Sequence, residues 1–227
     1  MYIDVHTHSG LKQSQGVIAI KNILIEEAEK LIPGDEYYSI GVHPWDTAKP
    51  FFNPDLPADF FAKPHFVAIG ECGIDKLQGA SIDFQIFLFK LQALLSETHH
   101  KPLIIHCVRA WQEILDLKNE IRPKSFWIIH GFRGKPELAK QLVNSGFYLS
   151  FGESLINPKP GIVESFSQVP LNRLFLETDV SSHPIEMIYQ AASLIKNIPL
   201  LELQRELMQN FEKVFGIYGT SRLASTN

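Results

Sequence analysis

Met1-Tyr2-Ile3-Asp4-Val5-His6-Thr7-His8 is the stretch on which the reading of this chain turns. Tyr2, Ile3 and Val5 are β-favouring residues and mark a short strand. His6 and His8 follow two residues apart, and on an extended backbone such residues project from one face. Two neutral imidazoles can converge on one cation without like-charge repulsion, so the pair is a candidate pair of metal ligands. A His-x-His pair also arises by chance on a solvated loop. Its weight depends on what the later strands deliver.

Outward from that strand, short apolar runs recur: Val17-Ile18-Ala19-Ile20, Tyr37-Tyr38-Ser39-Ile40, Phe66-Val67-Ala68-Ile69, Leu103-Ile104-Ile105, Phe126-Trp127-Ile128-Ile129, Phe147-Tyr148-Leu149 and Leu174-Phe175-Leu176. Between them, apolar residues at helical steps predict helices over Ile23 to Leu31, about Ser81 to Glu97, Ala110 to Asn119 and Pro136 to Ser145, with Ile185 to Lys196 and Leu201 to Phe215 closing the chain. Ser81 is the expected N-cap of the long helix, in which Ile82, Gln85, Phe89, Gln92 and Leu95 recur at helical steps. Eight strands mostly alternating with helices predict an α/β fold, a (β/α)8 TIM-like barrel. Residues 9–16 are too few for a crossover helix, so the helix between strands 1 and 2 is expected to be lacking. The final helix or a partner subunit would then cover that flank. Residues 1–219 read as a single barrel domain and residues 220–227 as a C-terminal tail.

The chemistry falls at the strand ends. His6, His8, Glu71, His106, His130 and Asp179 all lie at or just beyond the C-terminal ends of expected strands, which in a barrel converge on the face that carries active sites. Four imidazoles and two carboxylates form an N/O donor set suited to Zn²⁺, Mn²⁺ or a similar cation, singly or as a pair. Each residue alone has a plain structural reading, as the polar end of a buried strand or as a capping or salt-bridge group. Six of them at five strand ends weigh against six separate explanations. Cys72 and Cys107 each neighbour a candidate ligand, so on an extended backbone they point the other way, as packing residues.

Composition narrows the classes. A 45% hydrophobic share supplies one substantial core, and 227 residues are too short a chain for two full enzyme domains. A formal net charge of -4 does not indicate a long cationic groove for nucleic acid. Two cysteines make no disulfide scaffold, and a cytoplasmic protein is the expectation, with no signal peptide and no membrane-spanning segment.

Taken together in order, these segments closely resemble the TatD family of metal-dependent hydrolases, within the amidohydrolase-like barrels. Asp4-Val5-His6-Thr7-His8 matches the family's opening motif, Gly41-Val42-His43-Pro44 its Gly-x-His-Pro, and Gly70-Glu71-Cys72-Gly73-Ile74-Asp75 its Gly-Glu-x-Gly-Leu-Asp. Gln85, Phe89 and Gln92, then Pro102 to His106, Ile129-His130-Gly131, Leu176 to Asp179, and Asn210 with Phe215 match later motifs. The resemblance implies two divalent metal ions, Mg, Mn or Zn. One would be held by His6, His8, Glu71 and Asp179, the other by Glu71, His106 and His130, with Glu71 bridging. It implies a phosphodiesterase or deoxyribonuclease acting as a 3'-5' exonuclease on DNA ends or a small phosphodiester. Glu71 and Asp179 would serve catalysis, Asp179 by orienting or deprotonating water, and His43 would contact phosphate or transfer a proton.

The chain also departs from the family. Val108 and Arg109 stand where Arg-Asp is usual, Gly131-Phe132-Arg133-Gly134 replaces Cys-Phe-Ser-Gly, and Val180-Ser181-Ser182-His183-Pro184 replaces Ser-Pro-Tyr. Arg109 and Arg133 are therefore candidate substrate-binding residues, since a guanidinium grips phosphate through two parallel hydrogen bonds. A small-molecule amidohydrolase or esterase using the same metal shell, and a non-catalytic metal-binding barrel, are the competing readings. A monomer or weak dimer is expected.

Overall fold

The computed structural model describes residues 1–8, 15–28, 36–49 and 58–218. In chain order the strands and helices are β1 (Tyr2–Thr7), β2 (Val17–Ile23), α1 (Ile25–Ala28), β3 (Tyr37–Ile40), β4 (Phe66–Asp75), α2 (Ile82–His99), β5 (Leu103–Val108), α3 (Trp111–Ile121), β6 (Trp127–Ile129), α4 (Pro136–Asn144), β7 (Tyr148–Phe151), α5 (Pro160–Gln168), β8 (Leu174–Leu176), α6 (Ile185–Lys196) and α7 (Leu200–Phe215). The eight strands follow one another in chain order through one sheet. The register is parallel from β1 to β2, from β3 through β6, and from β7 to β8. That is the topology of a (β/α)8 barrel, as the sequence pattern predicts.

The chain divides into two compact units, one of Met1–Lys21 with Gly131–Asn227 and the other Asn22–His130. In the first, Ile3, Val5, Leu149, Phe151, Phe166, Phe175, Leu207 and Phe211 are fully buried. The Tyr189 hydroxyl of α6 accepts from Ile3 N at 3.0 Å and lies 3.1 Å from Ile3 O, which ties that helix to β1. Asn210 of α7 donates to Leu171 O and Leu174 O, so its buried amide completes backbone bonds at the start of β8. In the second unit Ile69, Ile74, Phe89, Ile104, Ile105, Trp127 and Ile128 are fully buried, with Phe89 of α2 edge-on to Trp127 of β6.

Several expected boundaries move. β4 runs on to Asp75 and β5 to Val108, paired throughout from Cys72↔Ile105 to Asp75↔Val108, so Glu71 and His106 sit within strands rather than at their ends. Two glycines permit this close pairing. A Cβ on Gly73, at φ +155°, would lie 1.8 Å from His106 O, and one on Gly70 would lie 2.6 Å from Ile104 O. Ile23 ends β2 instead of opening a helix, because four of the seven residues from Val17 to that point are β-branched and favour an extended backbone. The rest of the expected helix, residues 29–31, lies outside the described residues. Ser81 precedes α2, but its hydroxyl makes no cap bond; its carbonyl accepts from Phe84 N and Gln85 N. An additional helix, α5, opens with Pro160 in its first turn. The expected absence of a helix after strand 1 falls on residues 9–14, outside the described residues, as does the 220–227 tail. No described helix is long and apolar enough to cross a membrane.

Candidate metal centre

The first unit brings His6, His8 and Asp179 together. His6 is the fifth residue of β1 and fully buried, His8 lies just past the strand, and their rings meet edge-on with centroids 4.9 Å apart. Both Nε2 atoms face Asp179 Oδ1, at 3.8 and 3.7 Å. The backbone fixes this carboxylate against β1: Asp179 N donates to His6 O at 2.9 Å and His8 N to Asp179 O at 3.0 Å, with Asp179 in the left-handed region at φ 53°. Behind it, Asp4 accepts from Thr178 N at 3.0 Å and Thr178 Oγ1 at 2.6 Å. Burial pushes the Asp4 carboxyl up to about 7, against the opposing pull of those Thr178 bonds. Buried Glu177 accepts from Gly131 N at 2.7 Å.

The second unit centres on one carboxylate oxygen. Glu71 Oε1 lies 2.7 Å from His130 Nε2, 2.8 Å from His106 Nδ1 and 3.1 Å from His43 Nε2. Burial by itself would raise the Glu71 carboxyl. The charge of His130 and hydrogen bonds from His106, His130 and His43 outweigh it and hold the group well below the usual carboxylate range. Asn22 Oδ1 accepts from Glu71 N at 2.7 Å.

Two tautomers follow from the partners. His43 Nδ1 accepts from Trp45 N at 3.1 Å, so the neutral ring carries its proton on Nε2 and donates to Glu71. His43 thus orients Glu71. His106 has Asp75 Oδ2 3.2 Å from its Nε2. A proton there would free the Nδ1 lone pair for a cation in place of its bond to Glu71, the arrangement in which a carboxylate orients a metal-binding histidine. Asp75 in turn accepts from Trp45 Nε1 at 2.6 Å and from the backbone N–H of Leu77 and Gln78. Burial works to raise Asp75, but the Trp45, Leu77 and His106 bonds prevail and lower it.

The donor set fits a hard or borderline divalent cation. Ligand atoms held about 2.0–2.2 Å from one ion sit some 3–4 Å apart, so groups gathered to within a further ångström or so can close on an ion by side-chain adjustment. His43, Glu71 and His106 offer ligand atoms within 4.8 Å of one another. Of the remaining candidates, Arg109 is exposed beyond β5 at φ 55°, and Arg133 is exposed on the loop beyond β6. Neither belongs to the two clusters. Cys72 is buried with Sγ 3.6 Å from Ile104 O, and burial with the nearby Glu71 charge raises its thiol far above the ordinary range. Burial likewise pushes Cys107 up to about 12. Both behave as packing residues.

The structure adds Asp75 and Trp45 behind His106 and the Asp4–Thr178 pair beside Asp179. Strand parity was the available signal: Asp4, His6 and His8 alternate on one face, as do Glu71, Gly73 and Asp75.

A model of the TatD-related DNase family matches residues 18–216. The chain belongs to that family. Among TatD-family relatives, the uncharacterized metal-dependent hydrolase YabD of Bacillus subtilis is 29% identical over 203 residues, covering 80% of this chain and 78% of that one. A TATDN1 homolog of Vairimorpha ceranae is 26% identical over 165 residues, covering 72% of this chain and only 59% of its own length. The crystal structure of the TatD homolog YjjV from Escherichia coli superposes with a TM-score of 0.80 at 20% identity, over 96% of this chain and 98% of that one. A TatD-family hydrolase structure from Entamoeba histolytica gives 0.74 at 18% identity, over 94% and 97%. These likenesses establish the shared barrel fold of the TatD proteins.

Proposed function

We propose that this TatD-family chain hydrolyses phosphodiesters at the ends of DNA strands, with divalent cations held by His6, His8 and Asp179 and by Glu71, His106 and His130. The observation that carries this reading is the convergence of three imidazoles on a single buried carboxylate oxygen of Glu71. Bound cations would supply a nucleophilic hydroxide at neutral pH and neutralise charge on the phosphate oxygens. The chain's own groups do the rest. His43 and Asn22 hold Glu71 in place through its side chain and its backbone N–H. Asp75 sets the His106 tautomer. Asp179, with its backbone fixed against β1, would orient or deprotonate the attacking water. Arg109, exposed at the end of β5, would grip a phosphate oxygen pair. Two free cysteines with raised thiols are consistent with a reducing cytoplasm.

The test joins metal content to turnover. Wild-type protein is expected to hold divalent metal by elemental analysis and to shorten an end-labelled single-stranded oligonucleotide. Glu71→Gln is expected to lose the metal held with His106 and His130 and to fall by about 10³-fold or more in kcat, as when a main charge-stabilising group is removed. Full metal content in that variant would exclude Glu71 as a ligand. Turnover confined to amides or esters would transfer the assignment to an amidohydrolase.

A further inference from the structure

A cavity lies wholly within the first unit. Its volume is about 280 Å³, and it is lined by Arg133, Glu153, Ser154, Ile156, Asn157 and His183. The lining comes from the loops that follow β6, β7 and β8 in sequence, the same loop family that carries Asp179. Two of its residues are places where the chain departs from the TatD pattern: Arg133 in Gly-Phe-Arg-Gly and His183 in the segment after Asp179. Departures at separate points of the sequence therefore fall on one cavity.

The lining is held by its own contacts. His183 N donates to Ser181 Oγ at 3.1 Å, and His183 Nδ1 lies 3.4 Å from that hydroxyl and 3.8 Å from Glu153 Oε2. Ser154 Oγ is buried and has no hydrogen-bond partner among the described residues. A buried hydroxyl in that condition calls for a partner, which an ordered water or a ligand group can supply.

The charges decide what fits. A bare phosphate would gain from Arg133 but would meet the Glu153 carboxylate. A neutral, flat, polar heterocycle can use both groups at once. The volume falls just below the usual range of about 300–1,000 Å³ for drug-sized ligands, which suits a single ring system. We infer that this cavity is a subsite for one unpaired nucleobase of the substrate strand, and that guanine is the base it accepts best. The inference rests on the hydrolase reading above for its substrate class. Guanine presents two adjacent N–H donors to a carboxylate, with O6 and N7 as acceptors for a guanidinium. Cytosine and adenine each set an acceptor beside their amino group, and thymine flanks its one N–H with carbonyls. Glu153 therefore selects guanine, Arg133 takes O6 and N7, and Ile156 offers an apolar surface for the ring face.

Two measurements test the subsite, and the first needs no turnover. Guanosine, cytidine and inorganic phosphate are titrated into the 227-residue chain while amide signals of residues 153–157 and 183 are followed by NMR. Guanosine is expected to bind about tenfold more tightly than cytidine, the discrimination of one bidentate pair. Glu153→Gln should reduce that ratio to about threefold or less, because its amide places an N–H against the guanine donors. Equal binding of both nucleosides, no nucleoside response, or a response to phosphate alone would each overturn the subsite. The second measurement compares kcat/KM for oligonucleotides ending in dG and dC, with a preference for dG that Glu153→Gln flattens. An active nuclease with no such preference also overturns it. Absence of any phosphodiester turnover would instead count against the hydrolase reading, and the guanosine titration would still decide the cavity.

Discussion

At the scale of single residues, the second cluster depends on who holds each proton. His106 bonds Glu71 with a proton on Nδ1 and offers Nδ1 to a cation with its proton on Nε2, and Asp75 favours the second arrangement by lying against Nε2. Asp75→Asn keeps the shape but replaces a carboxylate oxygen with a group of mixed donor and acceptor character. The amide bonds from Leu77 and Gln78 can still be accepted, so the fold should persist. Metal affinity is expected to fall about 10–100-fold, the usual cost of removing a carboxylate that orients a metal-binding histidine. Metal titration with a competing chelator measures this directly, with circular dichroism as the control for folding. Unchanged affinity would show that Trp45 and Glu71 position His106 without Asp75.

At the scale of elements, α2 shows why a helix can bury polar residues. Its inward face contains Leu88 and Phe89 but also Gln85 and Gln92, all nearly inaccessible to solvent. Gln92 accepts from Val42 N at 2.7 Å and donates to Val42 O at 3.2 Å, acting as a surrogate strand for the residue before His43. Gln85 accepts from Asp75 N, and the two N–H groups of its Nε2 are shared among Asp75 O, Gln78 O and Ala80 O, which closes the turn after β4. The two amides thus brace the segments on which His43 and Asp75 sit. Gln92→Leu fills similar volume and leaves both Val42 backbone groups without that partner. A loss of about 2–4 kcal/mol is expected, since each buried unsatisfied group costs about 1–3 kcal/mol. Chemical denaturation would measure it. A loss below about 0.5 kcal/mol would mean that water takes over both bonds.

At the scale of the whole molecule, a bound cation is a stabilising ligand. If Glu71, His106 and His130 hold a metal in the native state only, saturating metal at about 1,000 times Kd adds roughly 4 kcal/mol to stability. Thermal unfolding should therefore shift upward by several degrees with Mn²⁺ or Zn²⁺, and a chelator should reverse the shift. Glu71→Gln should show little response from this set. An identical metal-dependent shift in wild type and variant would move the stabilising site elsewhere on the chain.

Much of this was determined by the sequence alone. Eight β-rich runs separated by helical periodicities specified the barrel class, because the two periods of 2 and 3.6 residues are local properties of side-chain projection. His6, His8, Glu71, His106, His130 and Asp179 were legible for the same reason: each ends or follows a short apolar run and carries a metal-competent donor. The tertiary structure decided the rest. It extended β4 and β5 past their apolar cores, because Gly70 and Gly73 leave room for Ile104 and His106 backbone to approach. It set His43 against Glu71 as a hydrogen-bond partner, and it recruited Asp75 and Trp45 behind His106. It also gathered Arg133, Glu153 and His183 around one cavity. Such partners are separated along the chain by tens of residues, and a hydrogen bond depends on distances that only packing sets.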